Sequence, residues 1–107
     1  MVFKKETFEV EFTDECIEEM TEIYDYIANH LKENNAAKRL MSEVMDKVLD
    51  LSFSPELYMK LGKNDKLRRE YHRIVVKNYS VLYTIDFESR KVYVSRMIYG
   101  KRNYFNS

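Results

Sequence analysis

The chain has 107 residues, 45% apolar and 34% charged, with 2 Gly, 1 Pro and 1 Cys, which describes one small globular domain over residues 1–107. A domain of this size buries roughly two-thirds of its unfolded surface, so it needs neither a disulfide framework nor a structural metal, and Cys16 alone supplies neither. No apolar run reaches the roughly 18 residues of a membrane span, and the opening MVFKKETFEV lacks the apolar core of a signal peptide. The expected setting is the cytoplasm, with no membrane partner.

Thr7 to Phe12 alternates, with Phe8, Val10 and Phe12 on one face, the period of a half-buried strand. Thr13 or Asp14 then starts a helix, since either side chain accepts the free N–H groups of a first turn. Asp14, Glu15, Glu18 and Glu19 stand where the helix dipole favours negative charge. Ile17, Met20, Tyr24, Ile27 and Leu31 form its apolar stripe. A polar turn over Lys32 to Asn35 leads to a second helix with the stripe Ala37, Met41, Val44, Val48 and Leu51, and two helices so closely linked form an antiparallel hairpin. Pro55 ends the second helix.

Leu57 to Arg69 has weak patterning and reads as a basic loop. Tyr71 to Val76 is a second strand, Lys77-Asn78 a tight hairpin turn, and Tyr79 to Asp86 a third strand. After a turn over Phe87 to Arg90, Val92 to Tyr99 is a fourth strand, which Gly100 ends before KRNYFNS. The fold class is therefore α+β, in the order β-α-α-β-β-β. The last three strands form an antiparallel meander, the first strand joins its edge, and the helices cover one face.

The net charge of zero conceals a division. Met1 to Leu57 holds 6 Lys and Arg against 14 Asp and Glu, net −8, while Tyr58 to Ser107 holds 12 against 4, net +8, together with seven of the nine tyrosines. A basic, tyrosine-rich half is the pattern of a nucleic-acid surface. Two glycines leave no room for a P-loop or a dinucleotide-binding glycine motif. No His, Cys and carboxylate set has metal-ligand spacing, so no metal and no cofactor are expected. Glu18, Glu19, Glu22 and Asp25 read as the solvated face of the first helix. Met20, Met41 and Met45 suit a core or a partner groove.

The stretch YHRIVVKNYSVLYTID, followed by VYVSRMIYGKRNY, resembles the RelE/ParE superfamily, the toxins of bacterial type II toxin–antitoxin modules. The likeness lies in a strand, a tight turn, a Tyr-x-hydrophobic-x-Tyr strand and a last strand ending in Gly-Lys-Arg. The order of elements matches over almost the whole chain. The resemblance implies a cognate antitoxin as partner. It also implies one of two activities: RelE-like members cut mRNA on the ribosome without a metal, and ParE-like members block DNA gyrase with no known reaction of their own. The sequence leans to ribosome-dependent mRNA cleavage, with gyrase inhibition, or a non-toxic interaction module of the same fold, as alternatives.

Under the cleavage reading, Arg102 matches the Arg of the Gly-Lys-Arg end and holds the scissile phosphate, with Lys101 beside it. Tyr104 lies near a terminal Tyr of some relatives. His72 and Arg73 stand on the second strand, where the RNase relatives carry basic residues, and alternation sends them to opposite faces. His72 suits proton transfer near neutral pH, and Arg73 suits phosphate. Arg68, Arg69, Arg96 and Tyr99 are candidate nucleic-acid contacts, with Arg96 alternatively paired to an acid from the helices and Tyr99 alternatively packing. Ser80 departs from the pattern, because many RNase members carry an Arg after the first Tyr of the third strand. Either Arg73 or Arg96 replaces that charge, or the protein acts by binding.

Overall fold

A computed structural model describes residues 7–58, 60–64 and 69–100. The elements are β1 (Glu9–Phe12), α1 (Asp14–Asp25), a π-helical turn (Tyr26–His30), α2 (Asn34–Leu49), a 3₁₀ turn (Asp50–Ser52), β2 (Lys60–Asn64), β3 (Arg69–Val76), β4 (Tyr79–Asp86) and β5 (Lys91–Tyr99). The expected α+β order holds, with the last three expected strands appearing as β3, β4 and β5. The five strands form one sheet in the order β1-β5-β4-β3-β2, with β1 parallel to β5 and the remainder antiparallel.

The helix start left open between two residues falls at Thr13, whose side chain accepts the Cys16 N–H at 3.2 Å and donates to the Ser95 carbonyl at 3.0 Å. One hydroxyl thus caps α1 and ties it to β5. The apolar stripe of α1 is rotated from expectation. Cys16 is fully buried, whereas Ile17 is 50% exposed and Leu31 is 48% exposed. The π turn, closed by the Leu31 N–H on the Tyr26 carbonyl at 3.0 Å, takes more residues than an α turn and carries Leu31 off the stripe. Lys32 then adopts φ 55° and the Glu33 N–H reaches back to the Ile27 carbonyl, a left-handed cap that reverses the chain into α2.

Along α2, Ala37, Leu40, Val44, Val48 and Leu51 of the following turn bury against Ile74 and Val76 of β3, Val81 and Tyr83 of β4, and Val92, Val94 and Met97 of β5. Phe8, Val10 and Phe12 pack on the edge of this core, as their alternation predicts.

Three features of the sheet differ from, or refine, the sequence reading. Lys60–Asn64, expected as loop, is the edge strand β2, paired irregularly with β3. Lys60, paired with Glu70 at 2.9 Å, suits an exposed edge, and backbone pairing supplies what side-chain alternation does not. The hairpin turn lies between the paired residues Val76 and Tyr79, and Lys77 takes a positive φ of 53°. In β5 the register slips, with Val94 opposite Tyr83 and Arg96 opposite Leu82, so Ser95 is an extra residue. That bulge puts Met97 on the core side with Val94 and sends Arg96 to the other face.

Candidate target-binding face

Alternation on β3 places His72, Ile74 and Val76 toward the helices and Arg73 and Val75 on the opposite face. Registration then aligns a row across three strands, because Leu82 has Arg73 as its partner on β3 and Arg96 as its partner on β5. Two strand spacings put these arginine backbones roughly 10 Å apart. One step along, the row Val75, Ser80 and Ile98 lies on the same face.

The two arginines differ in how they are held. The Arg96 guanidinium reaches Glu19 of α1 through Nε to Oε1 at 3.0 Å and Nη2 to Oε2 at 2.8 Å, and Glu15 Oε1 lies 3.1 Å from Nε. Glu19 also accepts the Met97 backbone N–H at 3.0 Å, so one carboxylate closes the free edge of β5 beyond the end of β1. Hydrogen bonding to Glu19 raises the Arg96 pKa above its ordinary value, keeping it cationic and paired. Glu19 is thereby not part of a solvated face, since its side chain is 20% exposed. Arg73, at the β3 end of the row, is half-buried, and Leu82 between the two arginines is buried.

Ser80, where RNase relatives carry Arg, is fully buried, and its hydroxyl donates to the Gly100 carbonyl at 2.7 Å. The Gly100 N–H bonds the Asn78 carbonyl at 2.6 Å with φ 114°, a conformation that favours glycine. Ser80, Asn78 and Gly100 together fix the end of β5, from which residues 101–107 continue.

His72 stands on the other face from Arg73. It is buried, its Nδ1 lies 3.0 Å from the Tyr58 carbonyl, and its ring stacks on Tyr83 at 5.0 Å and 17°. The Tyr83 hydroxyl donates to the Pro55 carbonyl at 2.7 Å, and burial pushes that phenol up to about 12. These contacts anchor the loop over 53–58 to the sheet. His72 also borders a polar hollow of about 450 Å³ with Glu70, Thr84, Asp86 and Tyr93. Arg69 opens β3 opposite Asn64, and Tyr99 ends β5. Arg68, Lys101, Arg102 and Tyr104 lie outside the described residues. The structure thus brings Arg73 and Arg96 together and separates His72 from them. The Glu19 partner of Arg96 was not identifiable from spacing, because 77 positions separate the two.

On the helical side, Phe12, Ile17, Met20, Tyr24, Met41 and Met45 line an open apolar groove of about 370 Å³ between α1 and α2. Thr21 completes the described lining. Among the described residues no group of three or more His, Cys, Asp or Glu could hold a metal ion, and no helix is long and apolar enough to cross a membrane.

The family model of the ParE toxin of the type II toxin-antitoxin system, parDE, matches residues 10–104. The chain belongs to this family and is a toxin of the type II toxin–antitoxin class, within the RelE/ParE superfamily. Among solved structures it is similar to a chromosomal ParDE toxin–antitoxin system from P. aeruginosa, with 11% identity, TM-score 0.67, and 88% of this chain and 97% of that chain covered. It is also similar to the toxin–antitoxin complex RelBE2 from Mycobacterium tuberculosis, with 20% identity, TM-score 0.64, and 90% and 94% covered. At these identities the two structures speak for the fold. No curated protein matches the chain at a significant level.

Proposed function

We propose that this toxin arrests growth by binding its target in the ParE manner, with DNA gyrase as the target, and that a cognate antitoxin holds it inactive. The observation that carries this reading is Ser80. Cleavage of RNA through its 2′-hydroxyl needs a cation on the phosphate and a proton acceptor and donor beside it. At Ser80 the side chain is buried and committed to the Gly100 carbonyl. Of the two arginines with described side chains on its face, Arg73 is half-buried and Arg96 is neutralised by Glu19 and Glu15. His72 lies on the opposite face. A surface of this kind binds without needing to turn over a substrate. The ParE family match supports the same reading.

The antitoxin is expected to seat an apolar segment in the groove between α1 and α2. Its methionines adapt to a partner's side chains, and Ile17 and Met45 stand exposed there. Both properties favour burial by a second chain.

A second reading, ribosome-dependent mRNA cleavage, is favoured by the Arg73, Leu82 and Arg96 row on the face away from the helices. It would use Arg73, Lys101 and Arg102 on phosphate, Tyr104 in proton transfer, and Arg68 and Arg69 as flanking contacts. Induction of the toxin without antitoxin separates the two. Gyrase binding predicts growth arrest with loss of negative supercoiling in a reporter plasmid and no new mRNA 5′ ends. Codon-linked 5′ ends with normal supercoiling would overturn it, and unimpaired growth at confirmed soluble expression would remove toxicity itself.

A further inference from the structure

Three tyrosines distant in sequence meet at one corner of the fold. Tyr26 comes from the π turn after α1, Tyr79 opens β4 and Tyr99 closes β5. With Glu22 and Ile23 they line a hollow of about 290 Å³. Tyr79 and Tyr99 are register partners whose rings meet edge to face at 5.4 Å and 82°. Tyr26 is braced from outside by His30, stacked on it at 5.0 Å and 18°. Burial, reinforced by the nearby Tyr99 and Tyr26 phenols, raises the Tyr79 pKa, so that phenol remains neutral at physiological pH. Glu22 is the one acidic or basic side chain among the described lining residues.

We propose that this tyrosine-walled hollow, with Glu22 at its side, is a binding site for a cationic side chain, an arginine presented by a partner polypeptide. The negative faces of aromatic rings attract a cation placed over them, and a carboxylate beside the rings pairs with the guanidinium fork. The volume lies just under the range of whole small-molecule sites, roughly 300–1,000 Å³, and suits one side chain. Tyr26 is 53% exposed, so ring surface remains for an incoming group to cover. A nucleotide base would also stack on tyrosine, but its phosphate would approach Glu22, and no described lining residue offsets that repulsion. This site does not rest on the choice between gyrase and ribosome.

The test is an NMR titration of the full chain with Nα-acetyl-arginine amide, following the ring resonances of Tyr26, Tyr79 and Tyr99. The neutral isostere Nα-acetyl-citrulline amide and AMP serve as comparison probes. The expected result is saturable shifts on the order of millimolar with the arginine probe alone. Glu22→Gln, an exposed position, should weaken them about 5-fold or more, and Tyr99→Phe should retain binding that Tyr99→Ala loses. Equal shifts with citrulline amide, a response to AMP in place of arginine, no saturable response, or undiminished affinity in Glu22→Gln would each overturn the proposal.

Discussion

Replacing Glu19 by Ala removes four hydrogen-bond contacts at once: three from the Arg96 guanidinium, whose Nε–H is shared between both carboxylate oxygens, and the one that satisfies the Met97 N–H at the edge of β5. The ion pair is partly solvated, with Arg96 43% exposed, so after screening it contributes about 0.5–1 kcal/mol. Leaving a partly buried backbone N–H without its acceptor costs about 1–2 kcal/mol, while the better helix propensity of Ala returns a few tenths. The expected loss is about 1.5–2.5 kcal/mol, or roughly 6–10 °C in Tm for a domain of about 100 residues. Urea unfolding followed by far-UV circular dichroism measures it, with the m-value unchanged if only stability has moved. Glu19→Gln retains an oxygen for Met97 and should lose about 1 kcal/mol or less. A Glu19→Ala protein within about 0.5 kcal/mol of the parent would refute the reasoning, since the edge of β5 would then not depend on this carboxylate.

Cys16, fully buried, has its thiol pushed from an ordinary 9.0 up to about 12, mainly by burial and then by the Glu19 charge. The unfolded thiol therefore loses its proton first. The stability this group contributes is complete below pH 9.0 and is lost as pH rises toward 12, at about 1.4 kcal/mol per pH unit between them. Urea unfolding at pH 8 and pH 10.5 should show a shallower decline in Cys16→Ala than in the parent, and identical declines would contradict the assignment. Tyr83→Phe removes the hydroxyl that bonds the Pro55 carbonyl and should cost about 1–2 kcal/mol, with faster hydrogen exchange in the loop over 53–58. Ser80→Arg should destabilise by about 2 kcal/mol or more, because a long cation enters a fully buried site and the bond to Gly100 is lost, and it should confer no ribonuclease activity. A stable, RNA-cleaving variant would show that this site accepts the charge. Met45→Asp in the groove should weaken antitoxin binding at least about 10-fold by calorimetry while toxicity persists; unchanged affinity would place the antitoxin elsewhere.

Much of this fold is legible in the residues. Phe8, Val10 and Phe12 announce β1 by alternation, and the second helical stripe survives with Leu40 added. What escaped was set by backbone geometry. Lys60–Asn64 shows no alternation because its pairing with β3 is made by the main chain. Both alternating sets of β3 carry apolar and polar residues, so pattern alone did not assign Arg73 or His72 to a face; Ile74 and Val76 packing against α2 decides it. Strict alternation along β5 would put Arg96 on the face of Val92 and Val94, and the extra Ser95 sends it to the other. The departure at Ser80 was visible from the motif, whereas its bond to Gly100 required the fold.

Purified toxin titrated into a DNA gyrase supercoiling reaction, beside a programmed ribosome carrying labelled mRNA, decides between binding and turnover. Complete loss of supercoiling near one toxin per gyrase subunit, with the mRNA intact, is the predicted result. Cleavage of the mRNA at a small fraction of the ribosome concentration, with supercoiling untouched, would contradict it and return Arg73 and the Gly100-Lys101-Arg102 end to a catalytic role.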